Sequence, residues 1–113
     1  MRFTATRIAL ALLLGAAPLP ASAGWTFCVA AAPDGKDVWI TDVFQASRDR
    51  ERLEAELKSF LKGQGVAGAV AQCPLPKEDK TDAVNAQFTA AEFNRKLGLA
   101  LHAVAAPEFE PRR

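Results

Sequence analysis

Apolar and polar positions alternate along the chain from Trp25 onward. Trp25, Phe27 and Val29 interleave with Thr26, Cys28 and Ala30, the period-2 pattern of a half-buried strand, which predicts a strand over 25–32. Pro33-Asp34-Gly35 punctuates it, with Pro presetting the turn and Gly accepting positive φ. Val38 to Phe44 is rich in β-branched and aromatic residues, so the two runs predict a hairpin with a loop of about five residues.

The period then changes. Leu53, Leu57, Phe60 and Leu61 recur at helical spacing, predicting a helix from an N-cap at Ser47 to Lys62, with Gly63 as the residue that ends it. Glu54 and Lys58 stand in the favourable i,i+4 order. Arg48, Arg50 and Arg52 alternate with Asp49 and Glu51 and read as a solvated face. Val66 to Cys73 predicts a short third strand, stopped by Pro74 and Pro76, which cannot donate to a ladder.

A second helix is predicted from Asp79 or Asp82 to Leu97. Ala83, Ala86, Ala90, Phe93 and Leu97 make its apolar stripe, widened by Val84, Phe88 and Ala91. The acids at its start and Arg95 and Lys96 at its end suit the dipole. Leu99 to Val104 predicts the last strand, and 105–113 a flexible tail.

The expected fold is a single small α+β domain over 24–104 in ββαβαβ order. Two right-handed crossovers suggest a four-stranded mixed sheet with both helices on one face. A Cys28–Cys73 disulfide, whose Cα atoms must lie within about 7 Å, favours the first and third strands as neighbours, with the first strand between the second and third.

Composition changes this picture at one point. Residues 1–23 carry Arg2 and Arg7, an apolar run from Ile8 to Leu19 and the Ala21-Ser22-Ala23 pattern, which predict a cleaved signal peptide. The apolar run is shorter than a membrane span needs. Of the 14 Lys and Arg, 12 then remain against 13 Asp and Glu, a formal charge of −1 on 90 residues. That balance gives no long-range attraction to nucleic acid or anionic lipid. The expected location is periplasmic or secreted, with no stable membrane span after cleavage.

Cys28 and Cys73 both lie in this exported part. An even cysteine count in an oxidising compartment predicts a disulfide. Closing that loop stabilises the fold by roughly 4 kcal/mol by chain-entropy arithmetic. A domain this small benefits, because it buries only about two-thirds of its unfolded surface.

Chemistry is sparse. Gly63-Gln64-Gly65-Val66-Ala67-Gly68 spells G-x-G-x-x-G, but a helix precedes it and a strand follows, the reverse of the dinucleotide fingerprint. It reads as a helix end and connecting loop. Asp34 and Asp37 lack EF-hand ligand spacing and read as turn residues. One histidine and two distant cysteines match no zinc pattern, so no metal and no cofactor are expected. His102, the single histidine, is expected to be an ordinary strand residue.

Trp25, Trp39 and Thr41 are the candidate binding residues, since an outward tryptophan offers a stacking platform. The sequence therefore points to a non-catalytic interaction module that meets an envelope protein or cell-envelope glycan through its sheet face. The alternative is a small hydrolase or enzyme-inhibitor-like protein using His102 with a nearby Asp or Glu.

Overall fold

The computed structural model describes residues 24–46 and 49–105. The predicted signal segment, the proposed N-cap Ser47, Arg48, and the tail beyond Ala105 lie outside them. The elements are β1 (Trp25–Thr26), β2 (Val29–Ala31), β3 (Asp37–Thr41), β4 (Phe44–Gln45), α1 (Arg50–Gly63), β5 (Val70–Gln72), α2 (Lys80–Lys96) and β6 (Ala100–Val104).

The predicted element order stands, with each long strand of the first hairpin divided in two. β2 and β3 pair antiparallel inside a four-stranded sheet of order β5-β2-β3-β6. β1 and β4 extend the same hairpin as a separate two-stranded ribbon. The sheet is mixed: β5 runs antiparallel to β2, and β6 parallel to β3. β2 thus sits between the second and third main strands, the arrangement that a Cys28–Cys73 bond favours.

Cys28 and Cys73 are bonded within the chain, with Cα atoms 4.2 Å apart and both residues fully buried. They belong to a core formed with Ala30 and Ala71 from the sheet and Leu53, Leu57 and Leu61 from α1. These leucines are the predicted stripe, at i, i+4 and i+8. The helix begins at Asp49, whose side chain accepts from the Arg52 N–H. It ends through Gly65, φ 93°, whose N–H bonds Lys62 O. The left-handed turn thus falls two residues beyond the expected Gly63.

Two side chains of α1 hold the strand that carries the disulfide. Arg50 Nε donates to Cys73 O at 2.7 Å, and Glu54 Oε2 accepts from Cys73 N at 2.8 Å. Being four residues apart, they reach the same peptide position from one face of the helix.

The two helices lie on opposite faces, not on one. Strand pairing aligns Ala71, Ala30, Trp39 and His102 in one row facing α1. Val38 and Ile40 point the other way and are buried as well. α2 covers that side, where Gln87 borders a cavity with Ile40 and Ala103, and Gln87 Nε2 donates to Thr41 O at 2.6 Å. The reason is direction of travel. The first crossover passes from β3 over β2 to β5, and the second returns across the whole sheet to β6. Two right-handed crossovers running in opposite directions put their helices on opposite faces.

The α2 stripe also differs from expectation. Ala83 is its one buried residue, while Phe88, Phe93 and Leu97 are 65%, 63% and 60% exposed. Phe88 and Phe93 are five residues apart, about 140° around a helix, so they cannot share one contact face. α2 is N-capped by Asp79 and stops at Gly98, φ 81°.

Candidate functional site

α1 does not reach the far end of the sheet face it covers. There an open groove of about 520 Å³ lies between the β2–β3 turn, the outer half of β3, β6 and the loop after α1. Pro33 and Asp34 come from the turn, Asp37 and Trp39 from β3, His102 from β6, and Val66 and Ala67 from the loop. Alternation along β3 places Asp37 and Trp39 on the same face, and the parallel register sets His102 beside Trp39.

Trp39 is half-buried and packs against the α1 core. Its ring stacks on the His102 imidazole, with centroids 5.0 Å apart and planes at 24°. His102 Nε2 also lies 2.9 Å from Asp37 Oδ1. The imidazole is therefore held twice, by stacking on its strand neighbour and by a carboxylate two residues back. Both partners stay open to water, with side chains 45% and 33% exposed.

Asp34 folds its own turn. Its Oδ1 accepts from the Lys36 N–H at 2.8 Å, an Asx-type contact. That bond is the main reason its carboxyl sits below the usual range, with the Asp37 N–H and carboxyl also in reach. A depressed carboxyl favours the fold above its unfolded pKa, and the contribution fades as pH falls through the folded value.

Of the three candidate binding residues, Trp39 alone lines this groove, where it meets His102, the residue of the alternative hydrolase reading. Thr41 is wholly buried. Its Oγ1 accepts from the Cys28 N–H and donates to Asp42 O, each at 2.9 Å, so the hydroxyl is used inside the fold. It faces the same side as Trp39, but at the end of β3 that the α1 core covers. Trp25 lies on the separate ribbon, half-buried, with Lys80 Nζ 5.0 Å from its ring centroid.

Asp34, Asp37 and His102 were legible as residues but not as neighbours. Their meeting depends on the parallel β3–β6 register, which spans 65 residues of sequence between Asp37 and His102. The G-x-G-x-x-G loop takes the connecting role expected of it and also supplies one wall of the groove, at Gly65, Val66 and Ala67.

No serine, threonine, cysteine or lysine lines this groove among the described residues. Among the same residues, no three His, Cys, Asp or Glu side chains gather to hold a metal ion, and no helix is long and apolar enough to cross a membrane. Comparison with known proteins finds no matching family model, no matching curated protein and no matching solved structure.

Proposed function

We propose that this protein is an exported, non-catalytic interaction module that binds an envelope protein or cell-envelope glycan in the groove beside Trp39. One observation carries the reading. The stacked Trp39–His102 pair borders an open groove where α1 leaves the sheet uncovered. Rigid sheet strands hold both rings, so little side-chain freedom is lost when a partner docks. The buried Cys28–Cys73 bond is compatible with an oxidising periplasmic or secreted location. Capture from envelope extracts by wild type and Trp39→Ala tests the proposal. Loss of the captured species in the variant supports it; equal capture counts against it.

The His102–Asp37 pair favours a second reading, a small hydrolase in which the carboxylate orients the imidazole as a general base toward water. His102→Ala would then abolish any hydrolysis of envelope peptides or glycans that the wild type performs. Unchanged hydrolysis would end that reading.

A further inference from the structure

We infer that the groove receives an arginine side chain of a protein partner, its guanidinium meeting Asp34 and Asp37 beside the Trp39–His102 stack. The inference rests on the interaction-module reading and narrows its choice between protein and glycan.

A sugar stacks on a bare aromatic face. His102 occupies one face of Trp39, and the half-buried indole also packs against the α1 core. The outermost ring is therefore the imidazole, and a broad indole platform is not on offer.

The polar atoms at the groove favour a cation. Asp34 and Asp37 both line it. Asp37 pairs with His102, and Asp34 accepts the Lys36 N–H; neither forms an ion pair with a lysine or arginine of the described residues. The His102 and Lys36 contacts each use an Oδ1 atom; Asp34 also has the Asp37 N–H and carboxyl in reach, and an ionised carboxylate offers further lone pairs to a forked donor. The Lys36 ammonium offsets one charge by acting on Asp34. Two carboxylates against one ammonium give the groove a negative formal balance.

The groove's form selects arginine over lysine. A guanidinium is planar, so it stacks on a ring while its fork of N–H donors meets carboxylates edge-on. A lysine ammonium is a compact, strongly hydrated point charge that lacks this planar fork. Pro33 and Val66 supply apolar wall for the aliphatic stem.

The test is an amide NMR titration of the oxidised protein with a capped Gly-Gly-Arg-Gly peptide. Its citrulline counterpart removes the charge while keeping the shape, and chitotriose supplies a sugar. The arginine peptide is expected to move the Trp39 indole and the Gly65 and Ala67 amides. It should bind roughly tenfold more tightly than the citrulline peptide, and Asp37→Asn should weaken it by a similar factor, as expected for a charged hydrogen bond. Asp34→Asn, which preserves the turn contact, should weaken it too, with the urea midpoint of each variant checking the fold. Equal binding of the arginine and citrulline peptides would overturn the inference, as would an arginine response indifferent to both variants. Chitotriose binding in the groove without an arginine response would overturn it while leaving the interaction module standing. Failure of every probe, together with equal capture by Trp39→Ala, would remove both.

Discussion

His102 Nε2 and Asp37 Oδ1 meet at 2.9 Å across the parallel β3–β6 pair, on the exposed rim of the groove. The position decides what the contact is worth. A pair this open to water contributes at most about 1 kcal/mol to stability. His102→Ala should therefore leave the urea midpoint nearly unchanged while reducing partner capture, because it strips the outer ring from Trp39. A large loss of stability would show that the pair serves the fold instead.

Thr41 is the opposite case. Its hydroxyl is the acceptor for the Cys28 N–H, a buried donor beside the disulfide. Thr41→Val keeps the shape and leaves that donor unsatisfied. The expected cost is about 1–3 kcal/mol in urea unfolding, with groove binding retained by the folded fraction. An unchanged midpoint would mean that the Cys28 N–H finds another acceptor.

The disulfide bears on the whole core. Apart from three leucines of α1, Phe44 and Val104, the core cluster consists of alanines and the two half-cystines. Equilibrium unfolding of the oxidised chain and of the Cys28→Ala/Cys73→Ala double variant should differ by roughly 4 kcal/mol, the chain-entropy figure for a loop of this length. Coincident unfolding curves would contradict it.

These cases show which features local sequence carries. Leu53, Leu57 and Leu61 fell on one helical stripe, and Asp79 and Gly98 bound α2 close to where their chemistry put them. The two cysteines alone point to β2 and β5 as neighbours, and the strands do pair. The placement of the helices did not follow, because it depends on the position of β6 at the far edge of the sheet. Once β6 lies beside β3, chain direction alone sends α2 to the other face. The same long-range register brings His102 to Asp37. Thr41 misled for a related reason: alternation gives the face a side chain points to, not whether a helix covers that face.

Photo-crosslinking tests the central claim, that this groove is where the protein meets its partner. A benzophenone side chain placed at Ala67, on the groove wall, is compared in the expressing cell with one placed at Phe88, on the exposed side of α2. The account expects a discrete adduct from position 67, weakened when Trp39→Ala is added, and none from position 88. An adduct from position 88 with none from position 67 would contradict it.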